Sequence, residues 1–116
     1  MDKFKLNMLF ESNNERKIPL SQFKKLVGNN FNNIIKTMKQ KIQLDVIKNK
    51  KYYGNKPGIG TKIKSFKNDN FAIIFNNTKL DYRIHAWDNT NHVVTCYFNM
   101  NIKTKKPSYE LSGWDG

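Results

Sequence analysis

FAIIFNNTKLDYRIHAWDNTNHVVTCYFNMNI, residues 71–102, is the stretch that decides the fold of this chain. Apolar and polar residues alternate through it, which is the period of β-strands that bury one face. Two turn signals, at Asn77-Thr78 and at residues 89–91, divide it into three strands. The stretch therefore predicts an antiparallel meander with a core face and a second face that carries polar and aromatic side chains.

Matching the apolar residues across the turns predicts the register of the meander. A two-residue turn in the first hairpin would place Phe75 opposite Leu80. In the second hairpin only an odd loop places Ala86 opposite Val94, so a three-residue or bulged connection is expected there. The predicted core face consists of Phe71, Ile73, Phe75, Leu80, Tyr82, Ile84, Ala86, Val94, Cys96, Phe98 and Met100.

A helical period precedes the meander. Apolar residues recur at steps of three and four, which predicts an amphipathic helix with Ser21 as its N-cap. Gly28 weakens a helix by about 1 kcal/mol relative to Ala and is expected to divide the segment into two helices. The apolar stripe that would cover the core face contains Phe23, Val27, Phe31, Ile34, Met38 and Ile42.

The rest of the chain predicts shorter elements. Residues 3–10 alternate and predict a strand, and residues 11–17 predict a polar loop. Two further strands are predicted near residues 43–47 and 61–66. The predicted fold class is α+β, with one or two N-terminal helices packed on a twisted antiparallel sheet of about four to five strands. We expect a single basic domain over residues 1–116, with a Lys-rich loop (48–67), the meander (71–102) and a tail (103–116).

The chain carries a formal net charge of +12 over 116 residues. That exceeds the magnitude of about 2–8 that suits a small domain, and the self-repulsion it causes favours a polyanionic partner. Residues 46–68 contain no Asp or Glu. A codon bias toward Lys and Asn is the alternative explanation of the charge. The single cysteine fits a reducing compartment, and the absence of an apolar run of about 20 residues argues against a membrane partner, so we expect a cytoplasmic protein.

The second face of the meander is the candidate nucleic-acid interface. Aromatic rings stack on unpaired bases, Arg clamps phosphates and Lys supplies sequence-independent attraction, a combination that favours single-stranded RNA. The alternative is a solvated face whose cross-strand pairs only stabilise the sheet. The predicted nucleic-acid-binding residues are Lys48, Lys50, Lys51, Tyr52, Tyr53, Lys56, Lys62, Lys64, Lys67, Arg83, Trp87 and Tyr97.

A sharper hypothesis makes this face a metal-independent endoribonuclease. His85 would exchange protons, Arg83 would stabilise phosphorane charge and Tyr97 would assist proton transfer. No cofactor or metal is expected, because one Cys and two His do not form a standard zinc site and the glycine-rich loop lacks the phosphate-binding order of a P-loop.

The layout of helical cover before a basic antiparallel meander, over residues 21–102, is similar to small bacterial ribonuclease toxins of the RelE-like and barnase-like kinds. That resemblance implies RNA cleavage and an acidic antitoxin as partner. A different class is also open: a phage- or plasmid-encoded inhibitor of a host defence complex, similar to anti-CRISPR proteins, that binds protein or guide RNA. A third hypothesis is a DNA-binding accessory factor of replication or transfer.

Overall fold

A computed structural model describes residues 15–48 and 63–113 of the chain. The predicted strand at residues 3–10, most of the Lys-rich loop and the end of the tail lie outside the described residues. The elements, in chain order, are β1 (Glu15–Pro19), α1 (Leu20–Val27), a 3-10 turn (Gly28–Asn30), α2 (Phe31–Lys48), β2 (Ser65–Asn68), β3 (Phe71–Phe75), β4 (Lys79–Asp88), β5 (Asn91–Asn101) and β6 (Pro107–Gly113).

The six strands form one antiparallel sheet in the order β1-β3-β4-β5-β6. β2 and β3 pair with different halves of the same edge of β4, β2 with residues 84–87 and β3 with residues 79–81. The α+β class is confirmed, with more strands than the four to five predicted. The additional strands are β1 and β6. The first three residues of β1 were predicted as part of a polar loop, and β6 lies in the tail.

The two helices form one layer on the sheet, and Gly28 divides them as predicted. Gly28 has a φ of +63°, a backbone conformation that glycine adopts without the penalty of a side chain. The predicted stripe is buried at Phe23, Val27, Ile34, Met38 and Ile42 and half-buried at Phe31. This stripe is what holds the helical layer on the sheet.

Two predictions about the helices were wrong. Ser21 is not the N-cap, because β1 runs through Pro19 and the helix begins directly at Leu20, which puts Ser21 in the first turn. The strand predicted near residues 43–47 is the end of α2. Val46 continues the buried stripe one step of four after Ile42, so packing on the sheet favours helix there.

The register of the first hairpin also differs from the prediction. The turn has three residues, 76–78, because Asn76 and Asn77 adopt left-handed backbone (φ 53° and 57°), and β3 shifts by one residue. Ile74, not Phe75, pairs with Leu80, so Ala72 and Ile74 face the core. The predicted core positions Phe71, Ile73 and Phe75 are half-buried on the other face. Since FAIIF is apolar at every position, alternation could not choose between its faces.

The second hairpin follows the prediction. Ile84 pairs with Cys96 and Ala86 with Val94, and the register shifts between Ala86 and Trp87 at a bulge. The remaining predicted core residues of β4 and β5 are buried. Within the described ranges, no helix has the length and apolarity that a membrane crossing requires.

Candidate nucleic-acid interface

The sheet has one face under the helices and one turned away from them, which we call the far face. Side chains alternate along a strand, so the register places the far-face residues of neighbouring strands side by side. Arg83 pairs with Tyr97 and His85 with Thr95, as predicted, and Lys67 of β2 pairs with His85. The structure therefore brings together Lys67, Arg83, His85, Trp87, His92, Thr95 and Tyr97.

Arg83 and Tyr97 form a half-exposed pair within this group. The guanidinium carbon of Arg83 lies 4.9 Å from the ring centroid of Tyr97, within the range of a cation–π contact. Nε of Arg83 lies 3.4 Å from Oδ1 of Asp81. Among the described residues no acceptor occupies the two terminal nitrogens, so they are available to a ligand. The side chain of Arg83 is 37% exposed. The pair thus presents an oriented cation on an aromatic platform.

Asp81 lies on the far face beside Arg83, and neighbouring side chains bury it. Burial raises the pKa of its carboxyl group, and the nearby Arg83 opposes that shift only in part. When ionised, Asp81 consequently offsets part of the charge of Arg83, and its ionisation costs stability.

His85 is held from both sides. Its Nε2 lies 2.9 Å from Oδ1 of Asp69, and its Nδ1 lies 2.9 Å from Oγ1 of Thr95. The hydroxyl of Thr95 also lies 2.8 Å from Nε2 of His92. Asp69, His85, Thr95 and His92 therefore form one continuous hydrogen-bonded chain across β4 and β5.

The chemistry of the end groups assigns the protons in this chain. A carboxylate only accepts, so Nε2–H of His85 donates to Asp69. In neutral His85, Nδ1 then accepts the Thr95 hydroxyl proton, and the Thr95 oxygen accepts from Nε2–H of His92. A proton added to His85 reverses the bond to Thr95, which couples the two imidazoles through one hydroxyl.

The order carboxylate, imidazole, hydroxyl is also that of an activated nucleophile. Thr95 is only 4% exposed, however, and His92 covers its hydroxyl. A substrate carbonyl or phosphorus therefore has no approach to this oxygen, and the chain is better suited to holding and transferring protons than to covalent catalysis.

Asp69 is fixed by its backbone as well as by its carboxylate. Its N–H donates to the carbonyl of Arg83 (3.1 Å), and its own carbonyl accepts from the Tyr82 hydroxyl (2.6 Å). Tyr82 is fully buried, and burial raises the pKa of its phenol to about 12. The bend between β2 and β3 thus presents the Asp69 carboxylate to His85 in one orientation.

Trp87 closes one end of the group. Its ring packs edge-on against that of His92, with centroids 5.4 Å apart, and the rings of His85 and His92 lie 6.1 Å apart. Nε1 of Trp87 is buried and has no acceptor within the described part of the chain. The indole therefore offers a half-exposed aromatic surface, and its N–H contributes no donor to the face.

The predicted site residues divide into three sets. Arg83, His85 and Tyr97 converge, and Lys67 and Trp87 join them on the far face. Lys48 ends α2, on the other side of the sheet, and Lys64 precedes β2 and donates its N–H to the carbonyl of Trp87 (2.7 Å). The remaining predicted contacts lie outside the described residues: Lys50, Lys51, Tyr52, Tyr53, Lys56 and Lys62.

Sequence reasoning assigned no role to Asp69 or His92. Asp69 is the first acidic residue after the acid-free stretch 46–68 and stands at a break between strands, which is a detectable signal. His92 directly follows the turn signal at residues 89–91. The bulge that turns its ring toward Thr95 depends on the pairing of β4 with β5 and has no signature of its own in the sequence.

No protein-family model, curated protein or solved structure matches this chain significantly. Across residues 15–48 and 63–113, no group of three or more His, Cys, Asp or Glu side chains is arranged to hold a metal ion. The assignment of function therefore depends on the chemistry of the far face and on the charge of the chain.

Proposed function

We propose that this protein binds single-stranded RNA on the far face, at the end where β2, β4 and β5 meet. The observation that carries the proposal is the Arg83–Tyr97 pair, a cation held 4.9 Å over an aromatic ring, with Trp87 and Lys67 on the same face. Such a surface suits a flexible strand with unpaired bases and a charged backbone.

Each group has a distinct task in this proposal. Tyr97 and Trp87 stack on bases, the terminal nitrogens of Arg83 take a phosphate, and Lys67 adds attraction at its side. Lys64 precedes β2 and donates its backbone N–H to the carbonyl of Trp87, so a further lysine joins the fold at the same end. A duplex buries its bases and gives the aromatic rings nothing to stack on, which is why a single strand is preferred.

The test compares Arg83→Ala/Trp87→Ala with the parent in a salt titration of binding to an unstructured oligoribonucleotide. Loss of stacking is worth about 1–3 kcal/mol per base, so we expect affinity to fall by about 10- to 100-fold. Lys79→Ala/Ser108→Ala is the matched control, because both exposed residues lie at the other end of the far face and one of them is a cation. Equal affinity of the site variant and the parent would contradict the proposal.

The chain through His85 favours a second candidate function, metal-independent cleavage of the bound RNA. In this reaction a base removes the 2′-hydroxyl proton, the 2′-oxygen attacks phosphorus, and an acid protonates the departing 5′-oxygen, which leaves a cyclic phosphate and a free 5′-hydroxyl. Two imidazoles joined by Thr95 supply a base and an acid on one face. Both ring nitrogens of His85 form hydrogen bonds, to Asp69 and to Thr95. To act on RNA, His85 would replace one of these hydrogen bonds with one to the substrate.

Cleavage is tested on RNA in the presence of a chelator. His85→Ala and His92→Ala are each expected to lower the rate by about 10²–10⁴-fold while affinity is retained. Asp69→Asn keeps the shape of the site but removes the carboxylate that stabilises protonated His85, so it should lower the rate less. A parent protein that binds RNA and leaves it intact for hours would remove the catalytic candidate and keep the binding one.

A further inference from the structure

The helical layer, opposite the far face, carries a strong net positive charge. α1 and α2 carry one acidic residue, Asp45, against six lysines: Lys24, Lys25, Lys36, Lys39, Lys41 and Lys48. The far face, in contrast, holds four of the six described acidic residues, which are Glu15, Asp69, Asp81 and Glu110. Of these two surfaces, the helical layer therefore carries the larger net positive charge among the described residues.

Several of these ammonium groups are held in place by aromatic rings. Nζ of Lys24 lies 4.9 Å from the ring centroid of Phe31, and Nζ of Lys39 lies 5.3 Å from that of Phe66. These contacts restrict the lysine stems before any ligand arrives, which reduces the entropy that binding must remove.

A groove of about 470 Å³ lies between α2 and β2. Two lysines, four amide residues and two apolar residues line it: Lys36, Lys39, Asn32, Gln40, Gln43, Asn68, Phe31 and Ile35. Cations beside amides match a phosphodiester backbone and its base edges, since ammonium groups bind phosphate oxygens and amides both donate and accept. The exposed side chains Leu44 and Ile47 lie in the C-terminal half of α2 and are not part of this lining.

We propose that this groove and the lysines beside it form a second RNA-binding surface that takes the phosphate backbone, so that the protein's ligand is a long RNA in contact with both sides of the domain. The inference rests on the proposed RNA binding by the far face. A short strand occupies one surface only. A long strand that is bound at the first surface binds the second intramolecularly, which raises its affinity by about 10²-fold or more.

The experiment measures binding of a short and a long unstructured oligoribonucleotide over a salt series. For the parent we expect the long strand to bind about 10²-fold more tightly. Lys36→Gln/Lys39→Gln removes the two charges that line the groove and keeps good helix formers, so the salt slope for the long strand should fall by about 1.4, at about 0.7 per lost phosphate contact. Binding of the short strand should remain as in the parent.

Lys17→Gln/Lys79→Gln is the control of equal charge, with both exposed lysines on the far face away from Trp87, and it should keep the parent's salt slope. Parent-like binding of both strands by the helix variant would overturn the second surface while leaving the far-face site intact. A parent that binds neither strand would overturn both proposals.

Discussion

At the scale of single residues, the far face is defined by how its charges are compensated. Asp69 stabilises His85 through a 2.9 Å hydrogen bond, and Asp81 contacts Arg83 through Nε alone. The two acidic residues therefore act differently: one orients an imidazole, and the other reduces the effective charge of a guanidinium. Lys67, Trp87 and Tyr97 supply the remaining contact surface.

Asp81→Asn tests this compensation through pH. Burial raises the folded-state pKa of Asp81 above its ordinary value of 3.8. Between these two pKa values the folded protein therefore binds more protons than the unfolded chain. Stability then falls as pH rises through the raised pKa, and this loss persists above it. In the variant, the amide oxygen still accepts from Arg83, but the side chain does not ionise. We expect the free energy of unfolding of the variant, relative to the parent, to increase from acid to neutral pH in urea titrations.

The same variant should bind RNA more tightly at neutral pH, because Arg83 loses the carboxylate that offsets its charge. Glu15→Gln, exposed on the far face at the end away from Trp87, serves as a control of equal charge. A stability difference between the Asp81→Asn variant and the parent that is constant with pH would contradict the expected sign.

At the scale of elements, the helical layer is ordered by one residue with unusual backbone. Gly28 ends α1 with a φ of +63° and a ψ of −140° and admits the 3-10 turn before α2. The turn lets Phe23 of α1 stack on Tyr82 (4.6 Å) while Phe31, at the start of α2, packs edge-on to Phe23 (5.9 Å). One buried aromatic cluster thus joins both helices to β4.

Gly28→Ala isolates the backbone contribution. A Cβ at this position meets no atom within 4 Å, so the substitution introduces conformational strain without a clash. We expect a loss of about 1–3 kcal/mol in the free energy of unfolding by urea. Asn30→Ala, in the same turn at an exposed position with ordinary φ, should change stability by no more than about 0.5 kcal/mol. Equal effects of the two variants would mean that the turn tolerates a side chain at Gly28.

At the scale of the whole molecule, the sheet separates two surfaces of different character. The helical layer is basic, and the far face combines aromatic rings with paired charges. Between them lies a core that includes Cys96, which the sheet and α2 bury completely. Burial raises the pKa of the Cys96 thiol to about 11.

Cys96 therefore reports on the integrity of the whole fold. The chain has a single cysteine, and at mildly alkaline pH its thiol is both protonated and inaccessible in the folded state. We expect alkylation of the native protein to be at least about 10³-fold slower than that of the protein in denaturant, since labelling requires unfolding that costs about 5 kcal/mol or more in typical domains. Native labelling at the rate of the unfolded chain would show that α2 does not hold its place on the sheet.

Much of this architecture is determined by periodicity in the sequence. The α+β class, the helical stripe from Phe23 to Ile42, the break at Gly28 and the pairing of Arg83 with Tyr97 all follow from where apolar residues recur. They are predictable because burying one side of a helix or strand is the largest favourable term, and its period is written in the sequence.

Only the tertiary structure decided the rest. FAIIF is apolar on both sides, so the left-handed Asn76 and Asn77, rather than hydrophobicity, set which of its residues enter the core. β1 forms because β3 offers it a partner, against the polar character of residues 15–17. Asp69 and His92 join the chain through His85 by way of a bend and a bulge, and the helical lysines lie opposite most of the acidic residues only because the helices cover one side of the sheet. These features depend on contacts between residues distant in the chain, which no local pattern encodes.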